Sequence, residues 1–289
     1  MNANIINGHL IAENIRIAVK ASSDKFFDTY KIKPGLAVII IGDNPASHAY
    51  VNIKLKRCVE LGLHAEALYF PLDVESDTVL TSIDHLNTRT DIHGIILQLP
   101  LPGHLSTHEL VNRIAPKKDV DGLCAENLGA LYSHYPGIIP CTPKGILKLL
   151  KTLPEGLTGK HAVVIGRSLI VGKPMATLLL SENCTVTQIH SYSKDWADLT
   201  QMADIIVTAA GVPGLINASH IKPGAIVVDV GSTRIVRSDG TAVFMGDVDS
   251  SVYQKAGYIT PVPGGVGPMT VAMLLENTVN AAWDQQNVR

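Results

Sequence analysis

Two periodicities alternate along the chain. Short, continuous apolar runs rich in β-branched residues are separated by longer stretches in which apolar residues recur every three or four positions. Residues 36–41, Leu-Ala-Val-Ile-Ile-Ile, end at Gly42 and read as a strand buried on both faces. Residues 47–61 follow with Val51, Leu55 and Cys58 on one face, the spacing of a helix. A strand over 64–70, a helix over 79–86 and a strand over 95–99, stopped by Pro100 and Pro102, complete the first half. In the second half, Thr142-Pro143 reads as an N-cap followed by proline at the first helical position, opening a helix through Leu150. Strands over 162–165, 185–189, 205–210 and 225–229 then alternate with helices over 173–180 and 196–202. A long helix, roughly 269–283, closes the chain. Strands separated by helices predict βαβ units on parallel sheets. The expected boundary lies between Asp121 and Thr142. It leaves residues 1–139 as one domain, with the terminal helix 271–289 packed back onto it, and 140–270 as a second.

Composition adjusts this picture modestly. The 289 residues suit two domains of roughly 150 residues each. Hydrophobic residues make up 46% and charged residues 17%, which excludes a disordered chain. The net charge of −2, from 24 basic and 26 acidic residues, offers no general field for a nucleic-acid backbone, so no such partner is expected. No apolar run approaches the roughly 20 residues of a membrane span, and no signal peptide is visible. Cys58, Cys124, Cys141 and Cys184 are scattered, without a C-x-x-C pair. That suits buried thiols in a reducing cytoplasm rather than a disulfide framework or zinc site.

The candidate chemistry lies at strand ends. Residues 163–174, Val-Val-Ile-Gly-Arg-Ser-Leu-Ile-Val-Gly-Lys-Pro, form a strand-to-helix turn. Glycines at such a turn admit a phosphate to the backbone. Arg167 and Ser168, between Gly166 and Gly172, suit the additional phosphate of NADP better than a bare ribose diol. Ser191, just past the following strand, is a second phosphate candidate. Tyr50 and Lys54, at i and i+4 beside the apolar stripe, project at a cleft edge, where a lysine can serve proton transfer. Taken alone, a solvated lysine is the simpler account of them. The Tyr-x-x-x-Lys spacing also occurs in short-chain dehydrogenases, but there it follows the dinucleotide turn, whereas here it precedes it. Gln98 interrupts an apolar strand near its carboxyl end, and Asp119 and Asp121 sit in a loop ending at Gly122. Residues 261–270, Pro-Val-Pro-Gly-Gly-Val-Gly-Pro-Met-Thr, make a rigid loop open to a flat ligand. Pro263 and Pro100 are candidates for cis peptides. His104 and His108 have ligand spacing but no third partner, so no metal site is expected.

Taken together, seven blocks in order resemble the bifunctional methylenetetrahydrofolate dehydrogenase/methenyltetrahydrofolate cyclohydrolase (FolD) family. They are residues 42–54, 94–102, 118–122, 140–145, 166–174, 246–249 and 261–270. The resemblance implies an α/β protein of two domains: an N-terminal three-layer α/β substrate domain and a Rossmann-type NADP-binding domain with a parallel sheet. It implies NADP-dependent oxidation of 5,10-methylenetetrahydrofolate, then hydrolysis to 10-formyltetrahydrofolate. Lys54 would be the catalytic lysine, Gln98 the amide that tunes it, Tyr50 the ring against the folate and Asp121 the pterin's carboxylate. Pro263, Gly264, Gly265 and Val266 would support the aminobenzoyl part. Gly166, Arg167, Ser168, Gly172, Ser191 and Ser232 would hold NADP, and a homodimer is expected. Where the family often has Arg-Thr after His190-Ser191, this chain has Tyr192-Ser193. Where the family usually has Ile-Asn or Thr-Asn after Gly231, it has Ser232-Thr233. The nearest rival is another two-domain dehydrogenase, such as shikimate dehydrogenase; a folate-binding protein without turnover is a third reading.

Overall fold

The computed structural model describes residues 3–236 and 241–287. In chain order, β1 (Asn4–Ile5) and α1 (Gly8–Tyr30) precede β2 (Gly35–Ile41), α2 (Pro45–Glu60), β3 (His64–Phe70) and α3 (Ser76–Thr88). Next come β4 (Gly94–Leu97), α4 (Thr107–Arg113), α5 (Ala125–Ser133) and α6 (Cys141–Leu150). The second half holds β5 (His161–Ile165), α7 (Gly172–Ser181), β6 (Thr185–Ile189), α8 (Trp196–Met202), β7 (Ile205–Thr208) and β8 (Ile226–Asp229). It ends with β9 (Thr233–Val236), β10 (Ala242–Met245), β11 (Tyr258–Ile259) and α9 (Val266–Asn287). The chain divides into two compact units, with the divisions falling inside α1, α6 and α9.

One unit, residues 13–141 and 271–287, is built on a parallel sheet of order β3-β2-β4. All seven residues of the central β2 are buried, as its unbroken apolar run requires. Ala37, Ile39 and Ile41 share a core with Ile95 and Leu97 of β4, Val79, Ile83 and Leu86 of α3, and Leu110 and Val111 of α4. Leu36, Val38 and Ile40 point the other way and are just as buried, so both faces of the sheet are covered. Phe26 of α1 sits fully buried between His93 and Trp283, edge-on to each at centroid distances of 5.6 and 5.2 Å. Asn277 of α9 donates its amide to the carbonyls of Val120 (2.9 Å) and Ile139 (3.1 Å), tying two loops to that helix.

The other unit, residues 3–12 and 142–270, carries a six-stranded parallel sheet of order β1-β11-β8-β7-β5-β6. β6 lies on one side of β5 and β7 on the other, so the winding direction reverses there. Ligands of such sheets bind outside the carboxyl ends at that reversal. β9 and β10 form a separate antiparallel pair.

Three expectations change. Residues 3–12, expected in the first domain, belong to the six-stranded unit: β1 pairs with β11 and the Ile6 amide donates to the Ile259 carbonyl (2.8 Å). Thr142 is not an N-cap, because α6 already begins at Cys141 and the Thr142 hydroxyl pairs with that of Thr270 at 3.0 Å. The 23-residue α1 has no counterpart in the sequence reading. Its most buried positions, Ala12, Val19, Ser23 and Phe26, make too thin an apolar stripe to stand out.

Truncation of the buried ring tests this core. Phe26→Ala should lower unfolding stability by about 3–5 kcal/mol, the usual cost of emptying a fully buried aromatic site. Denaturant titration monitored by tryptophan fluorescence in a Trp196→Phe background, which leaves Trp283 as the reporter, measures it, and a loss below about 1 kcal/mol would show that α1 draws little from this cluster.

Candidate functional site

In the three-stranded unit, chemistry gathers at the carboxyl edge of the sheet. The turn after β2 is set by Gly42, at φ +80°, whose amide donates to the Phe70 carbonyl and whose carbonyl accepts from His48 Nε2 at 3.0 Å. From there α2 runs back along β2 and β3, anchored by Val51 and Cys58, both fully buried. Lys54, one turn before Cys58, is half-buried, and its Nζ donates to Gln98 Oε1 at 3.0 Å. Gln98 follows the last residue of β4. Its backbone amide donates to Ile39 and its side-chain Nε2 to Leu99 O at 2.7 Å, so the amide oxygen is left aimed at the lysine. The next bond, Leu99-Pro100, is cis, as is Val262-Pro263. Tyr50 stands a turn before Lys54 with 45% of its surface exposed, a ring available to a ligand.

The two aspartates of the 117–122 loop are used differently. Asp119, 2% exposed, accepts from the amides of Gly122 (3.1 Å) and Cys124 (2.8 Å) and from Asn127 Nδ2 (3.0 Å). It is a loop staple. Burial pushes the Asp121 carboxyl up from its ordinary value, and the Asp119 charge adds to this; the nearby Lys54 ammonium and a Cys141 hydrogen bond pull the other way. Tyr50, Lys54, Gln98 and Asp121 therefore belong to one unit, with Lys54 within electrostatic reach of Asp121.

In the six-stranded unit, a cleft of about 380 Å³ opens at the carboxyl ends of β5, β6 and β7. Gly166, Arg167, Ser191, Trp196, Ala210 and Val212 are among its lining residues. Gly166 has φ +122°, and a Cβ there would meet the Ala209 carbonyl oxygen at 2.6 Å. A Cβ on Gly172 would lie 2.3 Å from the Gly166 carbonyl, so both glycines are required by the approach of helix to strand. Ser168 Oγ accepts from the amides of Val171 (3.1 Å) and Gly172 (3.4 Å). The first amides of α7 are thus turned toward Ser168, which keeps its hydroxyl proton to donate. Arg167 is exposed at the cleft wall, its guanidinium carbon 5.4 Å from the centre of the Tyr192 ring. Ser191 and Ser232 are also exposed.

The Pro263–Val266 loop lies in this unit as well. Gly264, at φ +108°, accepts the amide of His9 at 3.2 Å, and a Cβ on Gly8 would fall 1.8 Å from the Gly265 carbonyl oxygen. The start of α1 thus clasps the loop, leaving Pro263 exposed while Gly265 and Val266 are buried. His104, weighed above as a metal ligand, donates from Nε2 to the Val74 carbonyl at 3.0 Å. Among the described residues no cluster of three or more His, Cys, Asp or Glu could hold a metal, and no helix is long and apolar enough to cross a membrane.

The family model for the tetrahydrofolate dehydrogenase/cyclohydrolase catalytic domain matches residues 6–121, and that for its NAD(P)-binding domain matches residues 140–286. The chain belongs to the tetrahydrofolate dehydrogenase/cyclohydrolase family. It is 46% identical over 291 aligned residues to the bifunctional protein FolD of Ehrlichia canis (strain Jake), covering all of this chain and 97% of that one. The solved bifunctional FolD of Campylobacter jejuni superposes with TM-score 0.93 at 43% identity, covering 98% and 99% of the two chains. A Trypanosoma brucei FolD complexed with NADP cofactor and inhibitor gives TM-score 0.94 at 37% identity, covering 100% and 99%.

Within this family member, two buried aspartates behind the cofactor cleft escaped the sequence reading. Asp247 Oδ2 accepts from the Thr208 hydroxyl (3.0 Å) and the amides of Ala210 (2.7 Å) and Gly211 (3.2 Å), and Oδ1 from Val212 (2.9 Å). Asp229 accepts from the amides of Gly231, Asp247 and Val248 at 2.9–3.0 Å. In the sequence, Asp247 lies in the Gly-Asp-Val-Asp block at 246–249.

Burial raises the Asp229 carboxyl from 3.8 to about 6, with the Asp247 charge adding to it and the backbone amides opposing. The folded protein therefore holds this proton more tightly than the unfolded chain. The stability it contributes is present at about pH 4 and is lost as pH rises through about 6. The deficit of Asp229→Asn relative to wild type should accordingly be larger near pH 4 than near pH 7, measured by denaturant unfolding at each pH. A deficit independent of pH would show that Asp229 titrates normally.

Proposed function

We propose that this chain is a bifunctional enzyme of one-carbon metabolism. It oxidises 5,10-methylenetetrahydrofolate with NADP and hydrolyses the 5,10-methenyl product to 10-formyltetrahydrofolate. The observation that carries the reading is the Lys54 Nζ–Gln98 Oε1 bond beside Asp121. A lone lysine at a sheet edge would be solvated; one aimed by an amide beside a half-buried carboxylate is positioned for proton transfer.

Asp121 faces the donor-rich aminopyrimidinone of the pterin, to which a carboxylate can offer two acceptor oxygens. Tyr50 offers its ring to the folate, and Pro263, Gly264, Gly265 and Val266 support the aminobenzoyl part. In hydrolysis, the Lys54 amine takes a proton from water as the oxygen attacks the methenyl carbon. It returns that proton to N5 as the C–N5 bond breaks, and the remaining O–H proton leaves to solvent as the formyl carbonyl forms. Gln98 Oε1, by accepting one Lys54 N–H, fixes which way the remaining nitrogen valences point.

NADP supplies the hydride acceptor when bound. The six-stranded unit fits it on two counts. Gly166 and Gly172 bring backbone, with no side chain interposed, to the mouth of a cleft at the reversal of the sheet. Arg167 adds the planar cation suited to a phosphate monoester. Ser168 and Ser191 would add hydroxyl donors, and Ser232, after β8, would meet the nicotinamide end through its backbone. The same reading carries a homodimer and a cytoplasmic setting. The family resemblance supports the first, and sedimentation of the purified chain tests it. The second is supported by four buried cysteines, none of them in a disulfide.

Lys54→Met should abolish cyclohydrolase activity, read as the failure of methenyltetrahydrofolate absorbance to decay when it is supplied directly. Full retention would remove Lys54 from the proton path. Asp121→Asn should raise the KM for the folate while leaving the NADP dissociation constant unchanged. An equal loss of both would mark Asp121 as structural, and reduction of NADP with shikimate but not with methylenetetrahydrofolate would overturn the whole reading.

A further inference from the structure

The departure from the family pattern at residue 192 coincides with a contact that no motif predicts. His190-Ser191-Tyr192-Ser193 leaves the end of β6 in a turn cross-bonded within itself. The Ser193 amide donates to the His190 carbonyl (2.8 Å), the His190 amide to Ser193 Oγ (3.0 Å) and the Tyr192 amide to His190 Nδ1 (3.2 Å). The His190 ring lies edge-on to the Tyr192 ring, centroids 6.2 Å apart. This bracing presents an aromatic ring that is 79% exposed, the opposite of where a tyrosine gains by burial. One neighbour explains the placement: the Arg167 guanidinium, its carbon 5.4 Å from the ring centre.

We propose that Tyr192 is a positioning residue for recognition of the cofactor's 2′-phosphate. Its ring holds the Arg167 guanidinium by one face, and the N–H donors along the guanidinium edge are turned to the phosphate. The inference rests on the reading of Arg167 as the phosphate ligand. A guanidinium can stack and hydrogen-bond at once, because stacking uses the π face and the bonds use the plane. Exposed arginines otherwise sample many rotamers, and ordering one on binding has an entropic cost that a preformed contact reduces. The family's common arginine at this position would add a second positive charge. This chain instead places a neutral ring that orders the cation it already has. Ser191, one residue before the ring, lines the same cleft wall as Arg167, so the phosphate would meet a hydroxyl and an oriented guanidinium together.

The test measures binding without turnover. Calorimetry with NADP, NAD and 2′,5′-ADP is run on wild type, Tyr192→Ala, Tyr192→Phe and Arg167→Ala. Tyr192→Ala should weaken NADP and 2′,5′-ADP by about two- to five-fold, the range of an exposed cation–π contact, with NAD unchanged. Tyr192→Phe, which keeps the aromatic face, should bind like wild type. Arg167→Ala should weaken NADP and 2′,5′-ADP more than Tyr192→Ala does, again sparing NAD. Equal weakening of NADP and NAD in Tyr192→Ala would overturn the proposal, because the ring would then be contacting the shared adenosine. No effect of Tyr192→Ala, or a Phe variant as weak as the Ala variant, would overturn it too. In those cases a selective loss in Arg167→Ala would leave the NADP reading standing. If Arg167→Ala binds NADP as wild type does, the phosphate reading of Arg167 fails and the platform fails with it.

Discussion

A carboxylate taken out of water is stable only where donors replace its hydration, and both units are organised around this constraint. Asp247, wholly buried, gathers a hydroxyl and three consecutive backbone amides that would otherwise lack partners at the end of β7. Those amides belong to the segment lining the cofactor cleft. Asp229 fixes the turn after β8, and through the amides of Asp247 and Val248 it fixes Asp247 itself. In the three-stranded unit Asp119 does the same for residues 122–124. The loops at 122–124, 210–212 and 247–248 thus hang from buried carboxylates. That suits loops whose outer surfaces must stay polar for a ligand.

Asp121 departs from this arrangement. Two residues from Asp119, it lies within reach of the Lys54 ammonium, and burial raises its carboxyl. In the proposed function, the acceptor capacity that Asp119, Asp229 and Asp247 give to the fold is what Asp121 would offer the pterin. Lys54 shows the same economy. One of its N–H groups goes to Gln98, whose own amide is consumed by the neighbouring carbonyl, so the pair is oriented without being saturated.

How legible this was from sequence depended on which signal each feature leaves. Buried parallel strands carry their whole signature locally, and 36–41, 64–70 and 185–189 lie within a residue of the observed β2, β3 and β6. Helix α1 did not, because Ala12 and Ser23 serve as core residues at two of its most buried positions. β1 is two residues long and exists only through its pairing with β11, a partner more than 250 positions away. The roles proposed for Lys54, Gln98 and Asp121 come from resemblance to a family, since periodicity alone places Lys54 at a cleft edge and leaves Gln98 open between a structural amide and a ligand contact. Nothing in Asp-Val-Asp distinguishes one aspartate from the other; Asp119 becomes the staple when Asn127 and two amides close on it.

The Arg167–Tyr192 contact shows why a substitution within a motif need not be a loss of function. Residue-by-residue comparison scores tyrosine for arginine as a missing cation. In the fold the two positions are neighbours across a cleft wall, at the ends of adjacent strands, so what acts on a phosphate is the field and geometry they present jointly. Two cations would attract the phosphate more strongly while repelling each other before it arrives. One cation on an aromatic face attracts less but reaches its binding geometry with less ordering left to do. The second arrangement also depends less on ionic strength, because fewer charges take part. Position 192 therefore exchanges electrostatic strength for preorganisation, and what the cleft gains is selectivity carried by a single, well-aimed side chain.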